Sequence, residues 1–424
     1  MAPKLEVAFD ASVLGYAQYG AAGRTGVFRV ADAFARELAR HPECALSFCG
    51  AENFRMWASA CDYLQDEAAF RKFPRLHYNN PARVYRFLGR LFYELEGEPL
   101  ISLPARAYRK SLGMALRGVE RSFQPLQATA LEGKHIYHSS FFALPEASRR
   151  VKGLRRYLTV CDVINLRHPE FNPSGSKYFQ RVIESLTPDD WAIAISETTK
   201  QELCAYRPDL DPNRVFVVPL AASNLFQPAT DRSIAFMRAH QELGERPYFL
   251  SVCTVDRRKN LEGLVKAFAL WVKETGNTDT DLVLCGAHGD STNQVREQIV
   301  SNGLERKRVK LPGYVPDVEL PALYAGALAF VYVSFHEGFG LPVLEAMQCG
   351  APVITSDSGA LAEVAQGAAL GVQVRDPRSI AEGLEKIRNS EVRARCAQAS
   401  LARAAEFSWQ RSADLLLRAY KASE

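Results

Sequence analysis

Short runs rich in β-branched and aromatic residues alternate along this chain with longer stretches of helical periodicity, and the series passes through six rounds, breaks off and starts again. The first series is Leu5–Phe9, Leu46–Cys49, His135–His138, Arg156–Val160, Trp191–Ile195 and Val215–Val218; the second is Tyr248–Cys253, Asp281–Cys285, Val309–Leu311, Leu328–Val333, Pro352–Thr355 and Gly371–Val374. Strands that regularly alternate with helices form parallel sheets covered on both faces, so an α/β fold of two doubly wound, Rossmann-like domains is expected. A length of 424 residues agrees, because one hydrophobic core does not extend that far. The order is interrupted around residues 222–246 by Asn224, Pro228, Asp231 and Gly244. The expected units are therefore an N-terminal domain at 1–225, a C-terminal domain at 226–406, and a closing helix at 407–424 with Trp409, Leu415, Leu416 and Tyr420 on its apolar face, which ties the domains together. A ligand shared by two such sheets belongs in the central cleft, outside the carboxyl ends of the strands.

Composition narrows the setting. Nine cysteines, an odd number with no CxxC pair, read as reduced thiols of a cytoplasmic protein. The opening residues read as a strand rather than a secretion signal, and no apolar run reaches the ~18 residues needed to cross a bilayer. The net charge of +4 hides an imbalance: between Arg71 and Arg156 there are 17 Lys or Arg against six Glu, a local +11 that leaves −7 elsewhere. Within it, Ala105–Phe123 alternates apolar and basic residues in helical fashion. It fits either a helix lying on anionic inner-leaflet lipid or the solvated back of a core helix. Nothing suggests a nucleic-acid partner.

Four segments carry chemistry. In Ser334–Val364, an apolar run ends in Glu337-Gly338-Phe339-Gly340, followed by Leu341-Pro342 and then Glu345 in a first helical turn. Glycines admit close approach of a ligand, and a helix start offers free N–H groups to phosphate. The two flanking carboxylates would repel phosphate and so face hydroxyls, those of a sugar and a ribose. Next, Arg258-Lys259-Asn260 follows the first strand of the second series, where adjacent cations can neutralise a leaving diphosphate without a metal; a solvated helix cap is the plainer alternative. Third, Gly20, Gly23 and Gly26 punctuate a Gly-rich loop after the first strand, before a helix read at Ala31–Arg40, and their spacing is wrong for a dinucleotide fingerprint. Fourth, Thr159-Val160-Cys161-Asp162 ends another strand, as does His138. A D-x-D, Asp279-Thr280-Asp281, lies in a turn leading into a strand, away from the carboxyl ends, and reads as a loop rather than a metal site.

The pair Glu337…Glu345 with seven residues between them, in the block EGFGLPVLEAMQCGAPV, resembles the E-x7-E motif of retaining GT-B glycosyltransferases, in its family GT4 form. The resemblance implies that Glu337 contacts the transferred sugar and supports its developing positive charge, that Gly338, Phe339 and Gly340 offer that sugar main-chain N–H groups, that Leu341 is donor-binding, and that Glu345 takes the ribose hydroxyls. Arg258 and Lys259 match the family's RKN and would clamp the diphosphate; Tyr314 and Val315 match the segment facing the nucleobase. Gly26, Arg24 and Thr25 would lie on the loop facing donor phosphate and acceptor. TVCD resembles the family's TVHD block, with Cys161 where the family has histidine, which leaves Asp162 as the polar group there. His138 matches a family histidine near the acceptor, although a core histidine fits as well. The implied activity is metal-independent, cofactor-free, retaining transfer of a hexose or deoxyhexose, with mannose from GDP-mannose the leading choice. The nucleotide-sugar donor and a glycan or lipid-linked acceptor would be its partners, in bacterial surface polysaccharide assembly. A phosphate-dependent phosphorylase or synthase on the same fold, and a non-catalytic nucleotide-sugar binder, are the alternatives.

Overall fold

The computed structural model describes residues 4–23, 26–76, 126–171, 175–304 and 308–423, with 108, 110–116 and 118 between them. Arg24, Thr25 and most of the basic stretch at 77–125 lie outside the described residues.

The first sheet contains β1 (Leu5–Asp10), β2 (Cys44–Cys49), β3 (Ile136–Ser139), β4 (Arg155–Val160), β5 (Trp191–Ala194) and β6 (Val215–Val217), in the order β2-β1-β3-β4-β5-β6. The second contains β7 (Tyr248–Val252), β8 (Asp281–Cys285), β9 (Val309–Gly313), β10 (Ala329–Tyr332), β11 (Val353–Ser356) and β12 (Leu370–Val372), in the order β12-β11-β10-β7-β8-β9. Every pairing in both is parallel. Helices cover both faces of each, which is why the central strands read as unbroken apolar runs: Val7, Phe9, Phe249, Leu250, Phe330 and Val331 are all fully buried. Each sheet reverses its winding beside its first strand, between β1 and β3 and between β7 and β10. Loops leaving the carboxyl ends diverge at such a switch point and open a crevice, and the segments with the first glycines, Arg258-Lys259 and Glu337 leave β1, β7 and β10 there.

The helix after β1 begins at Gly26, five residues earlier than the periodicity suggested, and continues to Arg40. Val27 and Val30 disguised its start, but Phe28, Val30, Ala31, Phe34, Ala35 and Leu38 form one buried stripe. The preceding Gly-rich segment is wound into 3₁₀ turns over Ser12–Gly23.

The closing helix, Trp409–Ala422, lies against the first sheet. The Tyr157 hydroxyl donates to the Ala419 carbonyl, Arg155 donates to the Tyr420 carbonyl, and Trp409 meets Phe34 edge to face. In the basic stretch, residues 110–116 are helical with Leu112 and Leu116 buried, while Tyr108 and Met114 are about half exposed. The Leu face of that helix is thus already covered by protein.

Candidate functional site

The centre of the site is a buried carboxylate held by cations. Glu337 follows β10, and one of its oxygens accepts a hydrogen bond of 2.7 Å from Arg258. The other accepts from Lys259 at 2.7 Å and from the Tyr332 hydroxyl at 3.0 Å. Burial alone would raise the pKa of Glu337, but Lys259 and Arg258 outweigh it and bring the carboxyl down to about 2. At neutral pH, then, a fixed negative charge sits beside two fixed positive ones.

Local backbone chemistry sets this arrangement. Asn260 takes the left-handed conformation (φ 56°), and its amide donates to the carbonyls of Val333 and Val374. That fastens the Arg257–Lys259 turn to the strand ends that carry the glutamate loop. The Arg258 carbonyl in turn accepts from the Phe335 N–H and the Ser334 hydroxyl. Arg258 and Lys259 are therefore fastened to the glutamate loop, with side chains 23% and 11% exposed, which does not fit a solvated cap. Gly340, at φ 108°, starts the helix Leu341–Gln348, and a Cβ there would stand 2.5 Å from Leu361.

Glu345, in the first turns of that helix, is buried and faces a cavity of about 890 Å³ between the domains, also lined by Arg29, Asp317 and Leu341. Arg29, from the helix after β1, spans the interface to hold Glu345 at 3.1 Å and Asp317 at 2.6 Å, and Tyr324 donates to the second Glu345 oxygen. Burial pushes Glu345 up to about 7, against the opposing pull of Arg29. Tyr314, 58% exposed, and the buried Val315 follow the carboxyl end of β9.

From the first domain, Cys161 and Asp162 reach the glutamate loop: a Cβ placed on Gly338 would lie 2.0 Å from the Cys161 carbonyl oxygen and 3.0 Å from the Asp162 Cβ. Asp162 accepts the Ile164 N–H and has its pKa raised, mainly by burial, with Arg258 pulling the other way. Burial also pushes the Cys161 thiol up to about 12, so it stays a thiol.

His138 does not reach the cleft, which corrects its placement near the acceptor. It is fully buried within β3, one ring nitrogen paired with the Tyr420 hydroxyl and the other with the Thr159 hydroxyl, and burial lowers its pKa to about 3. It is a core histidine that seats the closing helix. Gly26 begins a helix with open space around it, and Arg24 and Thr25 fall outside the described residues. The D-x-D stands at the opposite end of the second sheet: Asp281 is the first residue of β8 and is paired with Arg246, Arg308 and Lys310, while Asp279 accepts from Asn277 and Thr280.

The motifs assigned no role to Arg29, Tyr332, Ser196, Thr199 or Glu363, although Ser196 and Thr199 fall in WAIAISETT, a further block that resembles the family, and Glu363 falls within Ser334–Val364. Only Tyr332 had a usable signal, a phenol at the carboxyl end of a central strand, where a polar tip needs a partner.

A family model described as Glycosyl transferases group 1 matches residues 233–403, the part that carries Arg258, Lys259, Glu337 and Glu345. The O-antigen chain mannosyltransferase B of Escherichia coli is 32% identical over 290 residues, spanning 68% of this chain and 74% of that protein. The chain belongs to the group 1 glycosyltransferases. The serotype-specific mannosyltransferase WbdA of Escherichia coli is 29% identical over 271 residues, and the match covers only 33% of that longer protein. Among solved structures, Anabaena HepE in complex with UDP and glucose superposes with a TM-score of 0.65 over 99% of this chain and 100% of that one, at 13% identity. WaaG, a glycosyltransferase involved in lipopolysaccharide biosynthesis, gives 0.58 over 98% of each chain, also at 13% identity. These establish the GT-B fold of the glycosyltransferase.

Proposed function

We propose that this glycosyltransferase moves a hexose, with mannose from GDP-mannose the leading candidate, onto a hydroxyl of a glycan or lipid-linked acceptor with retention of anomeric configuration. The single observation that carries the reading is the Glu337 carboxylate set 2.7 Å from both Arg258 and Lys259, on a loop that packs against Cys161 and Asp162 of the first domain. As the glycosidic bond breaks, positive charge grows on the sugar and negative charge on the diphosphate, and the site holds opposite charges ready for each. Arg258 and Lys259 would take the diphosphate and Glu337 the sugar, while Glu345 would accept the ribose hydroxyls in exchange for Arg29. The β-phosphate would receive the acceptor's proton, so no separate base and no metal is required. The likeness to an O-antigen chain mannosyltransferase and to a serotype-specific mannosyltransferase supports mannose, and the first of them supports assembly of a surface polysaccharide.

We also place the enzyme in the cytoplasm, in peripheral contact with anionic inner-leaflet lipid. Among the described residues no helix is long and apolar enough to cross a membrane. With Leu112 and Leu116 buried, the attraction would be electrostatic, through the excess of Lys and Arg in the sequence between Arg71 and Arg156.

The test is turnover of GDP-mannose, UDP-glucose and dTDP-rhamnose by purified protein, with the anomeric configuration of the product read by NMR. GDP-mannose turned over fastest, with retention, is expected. Preference for another nucleotide would overturn the donor assignment, and inversion would overturn the mechanism.

A further inference from the structure

The glutamate loop is not finished by its own domain. The helix Glu197–Tyr206 of the first domain is capped by Ser196, which accepts the Thr199 N–H. The Ser196 hydroxyl donates across the interface to the Gly338 carbonyl at 2.7 Å, and the Thr199 hydroxyl donates to the same oxygen at 3.1 Å. Both side chains are fully buried. Two donors on one carbonyl fill both of its lone pairs. They also fix the peptide plane, because in a trans peptide the Gly338 C=O and the Phe339 N–H point to opposite sides. Among the described residues, the N–H groups of Gly338, Phe339 and Gly340 meet no hydrogen-bond acceptor, so they stand available for a ligand. The loop packs so closely on the Cys161 carbonyl that a Cβ at Gly338 would clash with it, so only glycine fits at this seat.

A second contact holds this junction. Glu363, on the second domain's helix Gly359–Ala365, accepts from the N–H groups of Glu197 and Thr198 at 2.8 and 3.1 Å and from the Thr198 hydroxyl at 3.1 Å. A carboxylate at the free N–H groups of a helix start is a favourable charge-assisted contact. Arg403 ties the same helix down from behind through the carbonyls of Glu363 and Val364.

We propose that Ser196 and Thr199 are positioning residues for glycosyl transfer. When the domains meet, their hydroxyls set the Gly338–Phe339 peptide and complete the sugar subsite beside Glu337, with Glu363 as the latch. The inference rests on the reading of Glu337 and Gly338–Gly340 as the donor-sugar subsite. The nucleotide half of the site, built from Arg258, Lys259 and Glu345, lies in the second domain and does not depend on these hydroxyls. Ser196 and Thr199 thus govern turnover and leave nucleotide affinity alone.

The experiment measures kcat with whichever of GDP-mannose, UDP-glucose and dTDP-rhamnose the wild type uses fastest, and Kd for the matching nucleoside diphosphate by calorimetry. The variants are Ser196→Ala with Thr199→Val, Thr199→Ser, Glu363→Gln and Glu337→Gln. The double variant is expected to lose ~10²-fold in kcat, from two buried donors removed at the loop, with Kd changed less than about twofold. Thr199→Ser, which keeps the hydroxyl, stays near wild type, and Glu363→Gln loses ~10-fold. Turnover of the folded double variant within about twofold of wild type would overturn the proposal, as would a parallel loss of nucleotide affinity. Should the double variant not fold, Glu363→Gln decides by the same criterion. A fully active Glu337→Gln sinks the underlying reading of the loop, whereas an inactive Glu337→Gln beside a fully active double variant sinks only the positioning role.

Discussion

Replacing Lys259 with Ala should damage catalysis in two separable ways. The ammonium is only 11% exposed and lies 2.7 Å from Glu337, so no water structure substitutes for it easily. As a preorganised cation beside the departing diphosphate it should be worth ~10²-fold in kcat, about 2.7 kcal/mol of barrier. The second effect is on pH. Glu337 sits at about 2 instead of the ordinary 4.5, even though burial pushes it upward, so the two cations together lower it by more than that difference. Lys259 is the larger contributor, and its loss should move the carboxyl upward, with burial no longer outweighed as fully. The acid limb of kcat should therefore lie at higher pH in the variant than in the wild type, because its Glu337 takes up a proton sooner and can then no longer support the positive charge on the sugar. The assay is steady-state release of nucleoside diphosphate at saturating donor and acceptor from pH 4.5 to 8, with folding checked by circular dichroism. A kcat within about twofold of wild type at pH 7.5 would refute the leaving-group role. An acid limb coinciding with that of the wild type would refute the electrostatic coupling to Glu337.

Glu345→Gln should weaken nucleotide binding but raise stability at pH 8. Its folded pKa, about 7, lies above the ordinary 4.5, so the stability it contributes is complete below pH 4.5 and lost as pH rises through 7, up to about 3 kcal/mol. A thermal-midpoint gain equal at pH 4.5 and pH 8 would contradict this. Transfer should survive EDTA, and loss with recovery on Mg²⁺ or Mn²⁺ would contradict the metal-free clamp. Pelleting with vesicles should require anionic lipid and fade with salt; insensitivity to both would count against the lipid contact.

The strands were legible because a strand buried on both faces leaves an uninterrupted apolar run, and each of the twelve forms within two residues of where its run lies. The cluster of Glu337 with Arg258 and Lys259 was legible for a different reason: its members lie in continuous stretches whose spacing a turn enforces. His138 misled because a histidine at a strand end looks the same whether it faces a ligand or, as here, a tyrosine 282 residues away. The partners of Arg29, Ser196, Thr199 and Glu363 were illegible on the same ground, although the last three fall in quoted blocks. Each acts on a partner in the other domain, and nothing local to a serine records which distant carbonyl it will meet.

The closing helix makes the chain pass between its domains a second time. Ser412, at its start, donates to the Pro219 carbonyl on the first connection, so the two passages run side by side. A molecule joined by one strand could swivel about any direction. Joined by two adjacent strands, it keeps a single axis, and its motion reduces to one angle. The Ser196 and Thr199 contacts to Gly338 and the Glu363 latch must then form together or break together, as the teeth of one jaw do.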